Sequence, residues 1–276
     1  MAVWHLLSLD APTVAMLWTW FIARASRIRL PATAVLAMGI AVWMLYAADR
    51  LLDSRALTTV RLDKGSRAEF QARHYFHRSH ERRFRCGILA ASIGLAVMLP
   101  QLSPQSIRLY LCLGTFLFGY FVVIHFNSSV SGARVHRLPK ELAVGVFFSA
   151  ATFIPTVAGD PGLRPALMPG AILFAVLCSL NCLFIYRWEH PVPGPETNPA
   201  TRVALRFLPL LAAIAAVMGA MLALIGRSVF WPIPAACSLA AILLLLLHRE
   251  RHRFSAITLR AAADLCLLTP LLLLAC

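Results

Sequence analysis

Apolar stretches long enough to cross a bilayer recur along almost the whole of this 276-residue chain, and they limit its fold more than any motif does. A membrane-spanning helix needs about 20 mostly apolar residues, with about 17–25 tolerated. Segments 3–22, 31–53, 86–100, 107–126, 141–158, 167–187, 206–226, 229–247 and 256–275 meet or approach that length. In hydrocarbon every backbone N–H and C=O must be satisfied within the protein, and apolar runs this long do so as helices. The expected fold is therefore all-α: a single transmembrane domain over 1–276, with nine transmembrane helices around a central cavity. Charged residues are only 14% of the chain and hydrophobic ones 59%, against about 25% charged in soluble domains. That balance excludes a soluble Rossmann-type enzyme, a secreted domain and a nucleic-acid-binding domain. The first stretch carries Asp10 and lacks both a basic leader and a small-residue cleavage site, so it is expected to persist as the first span.

The net charge of +14 sits mostly between the apolar runs, where it suits anionic membrane lipids rather than nucleic acid. Loops after the second, fourth, sixth and eighth spans hold 18 of the 26 basic residues. The positive-inside rule puts those loops in the cytoplasm, the N-terminus inside and the C-terminus outside, in a cell (inner) membrane. Arg24, Arg27 and Arg29, after the first span, oppose this weakly. Loop 54–85 is expected to form a cytoplasmic cap with an amphipathic helix around 68–84. Loop 189–206, with Pro191, Pro193, Pro195 and Pro199, is expected to be irregular. The seven cysteines lie mostly inside apolar runs and read as small packing residues, not a disulfide framework.

An acidic residue inside a spanning helix costs about 2.5–3.5 kcal/mol on insertion scales, so each needs a reason. Asp49 and Asp53 end the second span one helical turn apart, sharing a face with Tyr46 and Arg50. Two carboxylates so placed repel unless a cation separates them, and Mg2+ favours one or two carboxylates together with phosphate oxygens. The structural alternative is a helix end with an Asp–Arg pair. A second group ends the sixth span: Asn181 and Glu189 are eight residues apart and share a face, with Tyr186, Arg187 and Trp188 nearby. Those aromatics also suit interfacial anchoring. Asp10 and Asp264 read as structural, paired to backbone or to Arg260. The run from Arg73 to His80 has three histidines; with His248 and His252 the only other close pair, this falls short of a di-iron ligand set and suits a basic cap.

This arrangement resembles the UbiA superfamily of intramembrane prenyltransferases, which have nine helices and two acidic motifs, NDxxDxxxD after helix two and DxxxD after helix six. Asp49-Arg50 and Asp53 match the DRxxD half of the first motif, while Leu45 and Tyr46 stand where the family has its Asn and first Asp. The second motif is represented by Asn181 and Glu189, with Ile185 between. Leu9-Asp10-Ala11-Pro12 is similar to the family's first-helix start, and Lys140 to a basic residue before its fifth helix. The resemblance implies Mg2+-dependent transfer of a prenyl group from an isoprenoid diphosphate to a lipophilic acceptor. It implies Asp49 and Asp53 as catalytic metal ligands, with Asn181 and Glu189 as the second ligand group. Arg50, Arg55, Lys140 and Arg187 would bind diphosphate, since guanidinium groups contact phosphate oxygens in pairs, and Tyr46 and Tyr186 would line the pocket. The alternatives are a non-catalytic polyisoprenoid- or quinone-binding membrane protein and, third, a UbiA-type terpene cyclase or a small-molecule transporter.

Overall fold

A computed structural model describes residues 9–56, 81–130, 139–190, 194, 197–225 and 230–274, side chains at 50, 52–56, 81, 121, 123–130 and 257 excepted. Its regular structure is helical: α1 (Asp10–Ala25), α2 (Ala32–Ala56), α3 (Glu81–Met98), α4 (Pro104–Val130), α5 (Lys140–Gly159), α6 (Arg164–Glu189), α7 (Pro199–Arg206), α8 (Leu208–Ile225), α9 (Pro232–Arg249) and α10 (Ala256–Cys266). Short 3-10 turns follow α3, α5, α9 and α10. Among the described residues there are ten α-helices, and six of them, against the nine spans expected, are long and apolar enough to cross a membrane: α2, α3, α5, α6, α8 and α9.

Three departures from the sequence reading have local causes. The ninth span is not one continuous helix. α10 ends at Cys266, and a 3-10 turn, Thr269–Leu273, follows. Pro270 lacks the N–H that would bond the carbonyl four residues back, and its ring collides there. Loop 189–206 is not irregular throughout, since α7 occupies its end. Pro199 stands at the first helical position, where a missing N–H costs nothing, and Asn198 Oδ1 accepts from Ala200 N at 2.9 Å as the N-cap. Finally, Glu81–Phe84, expected in a separate cap helix, begins α3. The rest of the cap helix, with the histidine run 74–80, lies outside the described residues, as do Pro191, Pro193 and Pro195.

The chain divides into two compact units, Met1–Met16 with Pro31–Leu102, and Leu17–Leu30 with Ser103–Cys276. In the first, α2 and α3 pack through Ala47, Leu51 and Phe84, with Trp43 and Ile88 beside them. Leu89, Ile93 and Val97 recur every four residues and form an exposed apolar stripe on α3, the pattern of a surface facing an apolar medium.

In the second unit α6 is the central helix, packed against α5, α8, α9 and α10. Two helical hairpins, α5–α6 and α8–α9, approach closely by the same means. A Cβ on Gly145 would collide with Ser179 Oγ and the Ala175 carbonyl of α6, and Ser149 Oγ donates to Ala171 O at 2.7 Å. On α8, a Cβ at Gly219 would lie 2.8 Å from Pro234 O, while Ser238 Oγ donates to Ala216 O at 2.7 Å. Small residues that let backbones touch, joined by a hydroxyl bond across the contact, are the packing of apolar helices in lipid. The aromatic core is Trp18 stacked on Phe174, centroids 4.0 Å apart, with Phe148 and Phe153 against the same ring. Where α10 breaks, the Trp18 indole N–H donates to Leu267 O at 2.8 Å, and Thr269 Oγ1 donates to Ala236 O at 2.9 Å. The break's carbonyl is thereby satisfied inside the protein, as a water-poor setting demands.

Candidate functional site

A cluster of charged and polar side chains in the second unit lies toward the end where α5 starts, α6 and α9 finish, and α7 and α10 begin. Two contacts join α6 to α10. Asn181 Nδ2 donates to Asp264 Oδ1 at 3.2 Å, and Arg260 NH1 donates to Glu189 Oε1 at 2.6 Å. The spacing explains the pairing. Asn181 and Glu189 stand about 12 Å apart along α6, whereas Arg260 and Asp264 are one turn apart, about 6 Å, on α10. The long arginine side chain spans the difference. Both ion-pair side chains are about one-fifth exposed, so this is a mostly buried ion pair.

Neighbouring helices complete the cluster. Thr201 Oγ1 donates to Glu141 Oε2 at 3.1 Å, tying α7 to the first turn of α5. Lys140 is exposed and Arg187 half-buried. Tyr186 OH and Thr197 Oγ1 share a hydrogen bond of 3.0 Å. Trp188 Nε1 donates to His248 Nδ1 at 3.1 Å, and because an indole only donates, a neutral His248 carries its proton on Nε2. Phe184 stacks on Trp188 and packs at 5.2 Å against His248. Trp188 is thus locked into protein contacts on two sides.

The sequence reading placed Asn181 and Glu189 on one face of α6, and both do turn to α10. It assigned them a common cation, however, and here they have different partners: a carboxylate for Asn181, a guanidinium for Glu189. Asp264, read as structural and paired to backbone or Arg260, accepts a hydrogen bond from the Asn181 amide. Arg260, Asp264, Glu141, Thr201 and His248 were all missed as members of the site. The available signal was the intramembrane acid itself, since such a group takes a partner from another helix.

Asp49 and Asp53 belong to the first unit, on the final turns of α2, which runs on through Arg50 and Arg55 to Ala56. Helical register keeps the two acids one turn apart. Tyr46 and Asp49 are half-buried; the side chains of Arg50, Asp53 and Arg55 lie outside the described residues. Among the described residues no three His, Cys, Asp or Glu side chains form a metal-binding group. Compared with family models, curated proteins and solved structures, the chain matches none.

Proposed function

We propose that this chain is a UbiA-like membrane prenyltransferase, transferring a prenyl group from an isoprenoid diphosphate to a lipophilic acceptor with Mg2+. The reading is supported above all by the cluster of Asn181, Asp264, Glu189, Arg260 and Glu141 at one end of an otherwise apolar bundle. Ionisable groups among membrane helices are costly and mark functional paths by default. This cluster supplies both kinds of group that a diphosphate needs: oxygen ligands for a counter-cation, and the cations Arg187 and Lys140 for phosphate oxygens. The apolar helices would enclose the prenyl chain in a cavity opening toward the basic-rich, cytoplasmic side.

In the proposed reaction the allylic C–O bond breaks, and the diphosphate leaves with the electron pair. A bond then forms between the allylic carbon and the acceptor, whose displaced proton passes to the diphosphate. Mg2+, when bound, would neutralise charge on the leaving group. Asp49 and Asp53 would be the ligands of the first motif, and Asn181 and Glu189 those of the second. Arg187 and Lys140, with Arg50 and Arg55 of α2, would hold phosphate oxygens.

The non-catalytic polyisoprenoid- or quinone-binding reading has one observation in its favour: Glu189 is neutralised by Arg260, which leaves the second motif poorer in free carboxylate. Purified protein separates the two. A ligand at a hundred times its dissociation constant, bound only to the folded state, stabilises by about 2.7 kcal/mol. Mg2+ with a prenyl diphosphate of about 10 to 20 carbons, the chain lengths an apolar bundle accommodates, should raise the unfolding temperature, and Asp49→Asn should abolish the rise. Pyrophosphate release in the presence of an acceptor identifies the transferase. A thermal shift without release identifies the binder, and neither effect would remove both readings.

A further inference from the structure

The short helix α7 packs on α6 and α8 and presents three rows of side chains, each one turn apart. Thr201 and Leu205 are buried, with Thr201 bonded to Glu141. Arg202 and Arg206 form an exposed row. Val203 and Phe207 form the third, 59% and 45% exposed. At about 100° per residue the Val203–Phe207 row stands about 200° round from the buried one, so it points away from the protein, and the arginine row lies between. Apolar side chains turned outward are unfavourable in water, and these two continue into a surface suited to hydrocarbon. α8 is long and apolar enough to cross a membrane, and its Leu210, Ile214, Val217 and Met221 are exposed at intervals of three or four residues. Pro209 cannot bond the Leu205 carbonyl four residues back, and the chain bends at Phe207 between the two helices. An amphipathic, arginine-bearing helix bent off the end of a membrane-crossing one suits the headgroup layer.

Among the described residues neither arginine has a carboxylate partner. Arg202 NH2 donates to Thr197 O at 3.4 Å, and the Arg206 guanidinium carbon sits 5.6 Å from the Phe207 ring centroid. Both keep donors for an anion, and guanidinium groups match phosphate oxygens in pairs. We infer that α7 is a binding site for an anionic glycerophospholipid, its phosphate held by Arg202 and Arg206 and its acyl chains laid along Val203, Phe207 and the outward stripe of α8. The cation row beside an exposed apolar row selects this ligand. A free phosphate would use only the first row, and a zwitterionic lipid brings its own positive charge to the arginines. The site is separate from the Asn181 cluster and does not rest on the proposed reaction.

The test titrates full-length protein in a neutral detergent with phosphatidylglycerol or phosphatidylcholine of the same acyl chains, and counts bound lipids by native mass spectrometry. Wild type should prefer phosphatidylglycerol by about tenfold or more, from the attraction of two arginines to a negative headgroup. Arg202→Gln with Arg206→Gln should weaken phosphatidylglycerol by about that factor and leave phosphatidylcholine unchanged. Arg249→Gln with Arg253→Gln, which neutralises two exposed arginines at the end of α9, should change the preference by less than about threefold. Val203→Ser with Phe207→Ser keeps both cations, so it should weaken both lipids alike and keep their ratio, and it reports on the site even where the glutamine pair fails to fold. Inorganic phosphate and inorganic diphosphate, in excess at matched ionic strength, should not displace phosphatidylglycerol. Equal binding of the two lipids by wild type overturns the inference. So does a folded glutamine pair that keeps the preference, or an α9 pair that loses it as far. A serine pair with undiminished binding, or displacement by either inorganic anion, overturns it as well, since the arginines would then serve a soluble anion or no ligand.

Discussion

Replacing Arg260 by Met should destabilise the second unit by about 2–3 kcal/mol, a figure that follows from the burial of its partner. Removing one member of a fully buried ion pair costs about 3–5 kcal/mol, because the other charge is left without compensation. Exposed pairs are worth about 0–1 kcal/mol. The Arg260 and Glu189 side chains are 20% and 21% exposed at 2.6 Å, so the cost lies toward the buried limit, discounted for that exposure. At 1.4 kcal/mol per factor of ten, this is about a 30–150-fold loss in the ratio of folded to unfolded protein. Reversible unfolding in mixed micelles, followed by helical circular dichroism, measures it.

The partner variant makes that test specific. Glu189→Gln alone orphans the arginine and should cost less, since a guanidinium can reach toward the interface along its own stem. The double variant, Arg260→Met together with Glu189→Gln, buries neither charge. Its cost should fall below the sum of the singles by about 2 kcal/mol, as such replacements are often neutral. Additive single costs, or an Arg260→Met cost under about 0.5 kcal/mol, the range of an ordinary surface substitution, would refute the claim that this pair is a buried one.

Gly145→Val should cost at least about 1–3 kcal/mol, the usual range for overpacking, because the added carbons meet Ser179 and the Ala175 backbone of α6; unfolding in mixed micelles checks it, and a neutral result would mean that α5 and α6 do not touch there. Arg27 has φ 57° and sits in a helix-ending turn in which Ile28 N donates to Ala23 O at 2.8 Å. Arg27→Gly should therefore stabilise by about 0.5–1 kcal/mol, relief of left-handed strain less the entropy of glycine, and Arg27→Val should destabilise in the same assay.

How much of this could be read from the residues depends on the range of each signal. Apolar length is local, and it located α2, α5, α6, α8 and α9 to within a few residues of the expected spans. Pro199 and Pro270 carry equally local signals, but their meaning turns on position. One begins a helix behind an Asn cap and the other ends an apolar run that by composition alone could have continued. The site is not local at all. Asn181 and Asp264 are 83 residues apart, Glu189 and Arg260 are 71 apart, and no periodicity within either helix says which face of α10 meets α6. The sequence did show that acids stood at the ends of spans and needed partners, and packing chose the partners.

That choice gives the α6–α10 cluster a direction. At the Glu189 end the charge is balanced within the protein by Arg260, and Arg187 stands on the same terminal turn of α6, where the helix dipole favours cations. At the Asn181 end, two turns deeper, the amide nitrogen donates to the Asp264 carboxylate and the amide oxygen is buried without a hydrogen-bond partner. On the proposed function a diphosphate headgroup would arrive with a divalent cation, its outer phosphate oxygens toward Arg187. The order of loading follows: metal affinity without diphosphate should be weak, diphosphate affinity without metal weaker still, and each should strengthen the other by the same factor, as linkage requires. Titrations of Mn2+ with and without inorganic diphosphate, and of diphosphate with and without Mn2+, measure the two factors. Independent binding, with both factors near one, would show that the two ends of the cluster do not serve one ligand.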